Sequence, residues 1–397
     1  MSDHPSRPLF YPLRTRGMLI TLAVMAVGAF FGAKRFLVGI GSVTNLNDQY
    51  PWGLWIGFDV ATGVALAAGG FTTAALVYIF GKERFHAVIR PALLTAALGY
   101  TFVVLGLLAD LGRYWAVWHP ILPSMWQGNS VLFEVGMCVM IYLSVLYVEF
   151  APIVLERLRE VVSPRGRARR MVDGLKALLD RVLFLFIIAG VVLSCLHQSS
   201  LGNLMVIAPS KVHPLWWTPI LPLLFLLSAF AVGLSMAIFE SLLASKGFRR
   251  APEMDVLAPL ARVAAPLIAL YLAFKLGDLT LREAWHYAFV PGGTALAFWI
   301  EILGGLVLPI AIFVNRRLRS DPRWLLLGSA AMVLGVALNR INVFIVAYHP
   351  PYAEHAYLPS FGEFAVSAGL VATFIFIYRL AVTYLPVMPV NEEETHA

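Results

Sequence analysis

The sequence predicts an all-α membrane protein of ten transmembrane helices, and three observations carry that prediction. Hydrophobic residues make up 59% of the 397, charged residues only 13%, and mean hydropathy is +0.77. A soluble domain needs far more charge to cover its surface. Ten apolar runs are each long enough to cross hydrocarbon about 30 Å thick, and polar or proline-rich segments separate them. Cys138 and Cys195 are the two cysteines, both inside apolar runs, so no disulfide framework, zinc site or iron–sulfur cluster can be built from them.

The spans follow from hydropathy. Met18–Ile40 comes first, after Arg14–Thr15–Arg16; the apolar run continues past Lys34–Arg35 without a small-residue cleavage site, which argues against a signal peptide. Trp52–Phe80, Arg90–Leu111, Ser130–Phe150 and Leu183–Ser200 complete the first half. Trp216–Leu242, Leu257–Leu276, Thr294–Val314, Trp324–Ile345 and Glu363–Leu385 form the second. Of 30 lysines and arginines, all but Lys34, Arg35, Arg113, Lys211, Lys275, Arg282 and Arg340 fall on one side of these spans. Basic loops stay inside, so both termini are expected in the cytoplasm. The run Arg165–Gly166–Arg167–Ala168–Arg169–Arg170 then reads as a topology determinant, not a nucleic-acid site.

Ionisable residues within the spans gather toward the outer side, although each is costly there. Asp59 lies about 10 Å below the outer end of span two. Asp110 and Arg113 close span three, and Glu134 sits one turn into span four. Ser130, Glu134 and Cys138 recur at i, i+4 and i+8 and so share a helix face. His197 and Gln198 end span five; Lys275, Asp278, Glu301, Arg340 and Glu363 all fall in outer halves. Glu149, Glu240 and Arg262 are inner and are expected to snorkel. Asp110 with Arg113, or Lys275 with Asp278, suit i,i+3 ion pairs; His197 could be a satisfied core histidine, and Gln127, Asn129 and Gln198 helix caps. Asp59 and Glu134 have no nearby basic residue in their own helices, which favours a functional role. The outer segments Arg113–Asn129, Gly202–Pro219 and Tyr348–Pro359 are rich in aromatics and proline and are expected to roof a polar pocket reached sideways from lipid.

Ala109–Asp110–Leu111–Gly112–Arg113 recurs loosely as Gly277–Asp278–Leu279–Thr280–Leu281–Arg282, and Leu132–Phe133–Glu134–Val135 as Trp299–Ile300–Glu301–Ile302. With four spans per unit, the copies are parallel. The division expected is a cytoplasmic arm at 1–17, a first helix and outer loop at 18–50, four-helix bundles at 51–202 and 203–345, and a last helix with tail at 346–397. Haem in a bundle needs histidines from facing helices. Only His197 is well placed, so no haem and no metal are expected. A quinone suits such a pocket, with His197 donating to one carbonyl and Glu134 or Asp59 exchanging a proton.

Four motifs resemble one family. Tyr50–Pro51–Trp52–Gly53–Leu54–Trp55–Ile56–Gly57–Phe58–Asp59 is similar to the second-helix signature of polysulfide-reductase/NrfD-like membrane subunits. Asn129–Ser130–Val131–Leu132–Phe133–Glu134 and Leu196–His197–Gln198–Ser199–Ser200–Leu201–Gly202 are similar to two more of its motifs. Lys211–Val212–His213–Pro214–Leu215–Trp216 resembles the HybB-type subunits of nickel–iron hydrogenases. The resemblance covers almost the whole chain. It implies two parallel four-helix bundles plus two extra helices, in a bacterial cytoplasmic membrane. It implies a menaquinone or ubiquinone site on the periplasmic side, lined by Asp59, Ser130, Glu134, His197 and Gln198, with Asn129, Trp52, Tyr100 and Arg113 as further contacts. Asp110, Arg90, Asp278, Glu301 and Arg340 are then candidates for moving protons. The implied partners are a ferredoxin-like iron–sulfur subunit and hydrogenase large and small subunits, which would hold the clusters and the nickel–iron centre. A molybdenum enzyme for formate, polysulfide or tetrathionate is the alternative catalytic partner. A proton-coupled transporter is the alternative from another class.

Overall fold

The computed structural model describes residues 6–389 other than 13 and 165. Among them are ten helices long and apolar enough to cross a membrane: α1 Arg16–Val38, α2 Trp55–Ile79, α3 Glu83–Asp110, α4 Val131–Val161, α5 Arg167–Val206, α6 Leu221–Gly247, α7 Met254–Leu281, α8 Gly293–Val314, α9 Pro322–Val346 and α10 Phe361–Tyr384. All ten expected spans are present, so the chain is an integral membrane protein. The apolar windows of α2, α6 and α9 are 78%, 67% and 61% buried, whereas those of α1 and α5 are 11%. The first three therefore form the interior, with α2 packed on α3, α6 and α9, and α1 and α5 lie at the periphery.

Close approach sets the peripheral pairing. A Cβ on Gly28 of α1 would lie 2.5 Å from the Gly369 Cα of α10, so only glycine lets the two backbones meet. Gly305 of α8 and Gly335 of α9 make the same contact, at 2.6 Å. π-helical turns widen α2 at Trp55–Thr62 and Ala75–Ile79, α8 at Ile300–Val307 and α9 at Asn342–Val346. Such turns re-aim side chains and concentrate at functional sites. Asp59, Glu301 and Asn342 stand on three of them.

The first and last described segments are clasped. Ser6–Arg7 pairs antiparallel with Met388–Pro389, and Arg379 donates to the Pro12 carbonyl. The expected arm at 1–17 is thus docked over its described part; residues 1–5 and 390–397 lie outside the described residues. Arg90, at the start of α3, donates to Pro386 O on this termini face. Because helices alternate in direction, the starts of α2, α4, α6, α8 and α10 lie on the far face.

Two expectations about connections are corrected. The basic segment between spans four and five is not a loop: α4 runs on to Val161 and α5 begins at Arg167. Charge pairs at helical spacing hold these extensions in shape, Arg157–Glu160, Arg169–Asp173 and Lys176–Asp180, and Arg159–Asp173 ties one to the other. Arg165 of the basic run lies outside the described residues. The Arg113–Asn129 segment is not a packed roof either. It forms three short 3₁₀ turns with Trp115, Trp118 and Trp126 exposed, because two prolines and Gly128 leave it no helix with which to dock. The Gly202–Pro219 segment does pack: Val212 bridges Tyr348, and Trp216 and Thr218 are buried.

Candidate functional site

Most of the expected site residues fall into three groups, in the far-face halves of their helices. The first joins α3, α4 and α5. Ser200 of α5 donates to the Glu134 carboxylate of α4, while Glu134 stays exposed at the mouth of the helix pair. About one turn deeper, His197 is fully buried. Its Nδ1 lies 3.1 Å from the Tyr100 hydroxyl of α3, and its Nε2 has no partner. Tyr100 packs edge-on against Tyr142 with ring centroids 4.5 Å apart. Gln198 donates to Val64 O of α2 at 2.8 Å, leaving Oε1 unpartnered. Ser130 caps α4 by accepting from Phe133 N, and Asn129 and Arg113 are exposed.

The second group ties α2 and α3 to α1 and α10. Ser367 donates to Asp59, and the Asp59 side chain fits because Gly106 presents no Cβ. Asp110 does not pair with Arg113 as expected; its electrostatic neighbours are Glu363, Arg35 and Asp59, and its Oδ1 is buried without a hydrogen bond. Arg35 is 2% exposed, and its guanidinium donates to Ala109 O and Leu111 O, capping α3. Glu363 is fully buried, accepting from Tyr357 and completing a capping box with Ser360. Asp59 therefore bonds to α10, whereas Glu134 and His197 bond within the first group.

The third group fills the second half. Lys275 pairs with Glu301, not with Asp278, and Asp278 pairs with Arg282 at 2.7 Å, the i,i+4 spacing placing that guanidinium closer. Glu301 also accepts from Trp216 Nε1 at 2.8 Å, Asn339 Nδ2 at 2.9 Å and Asn342 Nδ2 at 2.8 Å. Arg340 donates to Ser228 and Asn339 and stacks over Phe225. A cavity lined by Trp216, Thr218, Tyr271, Lys275, Asp278 and Asn339 opens beside the pair. Trp52 is half-buried against Phe344 and Tyr348.

Arg90 pairs with Glu156 at 2.9 Å on the termini face, about 30 Å along α3 from Asp110 and away from the far-face groups. Two more expectations are corrected. Glu240 does not snorkel; it is buried and accepts from the Tyr378 hydroxyl at 2.7 Å. Glu149 is turned into the α4–α5 contact, against Gly190. Outside the spans, the Tyr352 hydroxyl holds the Lys211 ammonium pKa above its usual value. Burial pushes the His213 imidazole down, and the nearby His349 adds to the effect.

A family model for polysulphide reductase, NrfD, matches residues 42–350. A Nitratidesulfovibrio vulgaris protein is 41% identical over 95% of each chain. The probable Ni/Fe-hydrogenase 2 b-type cytochrome subunit of Escherichia coli is 35% identical, covering 99% of this chain and 98% of its own. The integral membrane subunit of a Nitratidesulfovibrio vulgaris menaquinone reductase is 28% identical over 92% and 91%. The expectation of no haem is overturned by the Escherichia coli relative, which is similar along its whole length and is named a b-type cytochrome subunit. Counting histidines was too strict a test, because one axial imidazole suffices for some haems. Among the described histidines, His197 alone is buried and carries an unpartnered nitrogen, so it is the residue that would hold a haem iron were one bound.

Proposed function

Because this chain belongs to the polysulphide reductase NrfD family, we propose that it is the quinone-reactive membrane subunit of a hydrogenase-type oxidoreductase in a bacterial cytoplasmic membrane. Electrons arrive from an iron–sulfur partner on the far face, which is periplasmic in this reading, and reduce menaquinone or ubiquinone. The observation that carries the proposal is the Glu134–Ser200 pair, an acid kept open at a lipid-facing helix contact beside the buried His197. An apolar quinone tail lies along the α4–α5 exterior, and the headgroup meets the carboxyl. Reduction consumes two electrons and two protons, and Glu134 hands protons to the carbonyl oxygens, re-armed after each transfer. His197 Nε2 would donate to a headgroup carbonyl; were a haem bound, it would instead hold the iron, leaving Ser200 and Glu134 to face the headgroup. Asp59 and Asp110 form a separate reserve of protonatable oxygen between α2, α3 and α10. The names of the relatives, a hydrogenase subunit and a menaquinone reductase subunit, support both the donor and the acceptor.

Glu134→Gln in the assembled complex tests this. Hydrogen-dependent quinone reduction is expected to fall at least a hundredfold, while hydrogen oxidation with an artificial dye stays unchanged. Normal quinone turnover in that variant removes Glu134 from the mechanism.

A further inference from the structure

From Tyr114 to Phe133 the chain carries no lysine, arginine, aspartate or glutamate. The side chains of this far-face connection nevertheless stand open: Trp115 and Ile121 are 63% and 67% exposed, and Trp118, Met125 and Trp126 are exposed as well. A contiguous apolar surface of this kind marks a contact with something other than water. The backbone calls for no partner. Val117, Ile121, Leu122, Met125 and Trp126 each donate to the carbonyl three residues back, and Trp126 Nε1 donates to Pro120 O at 2.8 Å.

The segment is continuous with surfaces that face lipid. At its start Tyr114 packs edge-on against Phe36 at the end of α1, with ring centroids 4.9 Å apart. The adjoining Leu37 and Val38 are 85% and 69% exposed. At its end Trp126 meets Phe133 of α4, 6.2 Å between centroids, beside the exposed Leu132. Both helices lie toward the periphery, where lipid surrounds the chain. Tryptophan at the end of a span suits the headgroup layer, its ring meeting acyl chains and its N–H meeting water. Non-helical backbone exposed to lipid is not tolerated any deeper. The far-face connections of the second half differ, carrying Lys211, Arg282, Glu283 and Glu354, charges of the kind that orient a soluble partner.

We propose that Tyr114–Trp126 lies in the lipid headgroup layer of the far leaflet, as an in-plane anchor covered by lipid and not by a partner subunit. Trp115, Trp118 and Trp126 sit at the boundary with water, and Ile121 and Met125 reach toward the acyl chains. Ser130 caps α4 four residues after Trp126, so the anchor also fixes the start of α4, and the Glu134 mouth on it, at the membrane surface. The anchor does not depend on a quinone being bound there.

The test is a nitroxide label on Ile121→Cys in the assembled complex, in liposomes, with Cys138 and Cys195 replaced by serine. Two relaxants read its surroundings: oxygen, which concentrates in lipid, and a water-soluble nickel chelate. The oxygen-to-nickel collision ratio at 121 is expected to exceed that of the same label on Glu354→Cys, an exposed position on the same face, by about threefold or more. Trp118→Asp should bring the ratio at 121 close to that at 354, whereas Trp118→Phe should preserve it. Equal ratios at 121 and 354 with Trp118 intact put the segment in water and overturn the proposal. A label immobilised and shielded from both relaxants puts a protein over the segment and overturns it too. A high ratio that survives Trp118→Asp counts against the aromatic anchor. Should Ile121→Cys fail to assemble, Met125→Cys carries the same expectation. The quinone reading is untouched by any of these outcomes and falls only with normal turnover in Glu134→Gln.

Discussion

The Lys275 ammonium and the Glu301 carboxylate form an ion pair between α7 and α8, their side chains 5% and 1% exposed. Removing one partner of a buried pair strands the other charge, at a cost of about 3–5 kcal/mol. Lys275→Met is therefore expected to lower the thermal midpoint in detergent sharply. Lys275→Met with Glu301→Gln, which leaves no unpaired charge, should recover more than half of that loss. A double variant no better than the single one would show that the pair is not the source of the cost.

Ser200 holds Glu134 by a hydrogen bond to a charged acceptor, worth about 1.5–3 kcal/mol when buried and less at this exposed site. Ser200→Ala frees the carboxyl without emptying a core position. Quinone reduction by the complex is expected to drop roughly threefold to tenfold, with the thermal midpoint within about 2 °C of wild type. Unchanged quinone kinetics would mean that the orientation of Glu134 is set elsewhere.

Gly28 and Gly369 let α1 and α10 touch backbone to backbone. Gly28→Leu forces the helices apart and is expected to destabilise the chain by about 2 kcal/mol or more, read as proteolytic nicking near α1. Leucine at Gly32, which has open space around its Cβ position, should be tolerated. Equal effects at both positions would contradict the close contact.

His213 sets a pH response on the far face. Its folded-state pKa is depressed by burial and by His349, so folding disfavours the charged imidazole. Stability is then full above the unfolded pKa of about 6.5 and is lost as pH falls through the depressed folded value. The thermal midpoint should fall between about pH 7 and pH 5, and His213→Asn should flatten that slope. The ring accepts from Leu215 N and packs edge-on to Tyr287, contacts a charged ring would disturb.

Hydropathy located all ten helices, because length and apolarity alone decide what can cross a bilayer. It also placed Asp59, Glu134, His197 and Glu301 in the far halves. It could not show that α4 and α5 continue past the apolar stretch, since charged helix faces and solvated loops share a composition. Nor could it choose partners. The i,i+3 spacing of Lys275 and Asp278 looked sufficient, yet Glu301 on the next helix and Arg282 one residue farther along offered better geometry. Arg35 was legible as a cation near the outer end of the first span, but not as the cap of α3, because the two carbonyls it meets lie on another helix. Ser200 was legible within the Leu196–Gly202 motif, but Tyr142 and Gly190 were not, because their positions acquire meaning only once α4 and α5 are seen to face each other.

The pairing of α1 with α10 has a consequence for biogenesis. Of the ten described helices α1 is made first, and it finds its neighbour only when α10 has been made. Until then α1, with a surface that is mostly apolar and a glycine notch left empty, must wait among lipids. The packing of α1 is thus completed only after α10 is inserted, and any truncation that deletes α10 abandons α1.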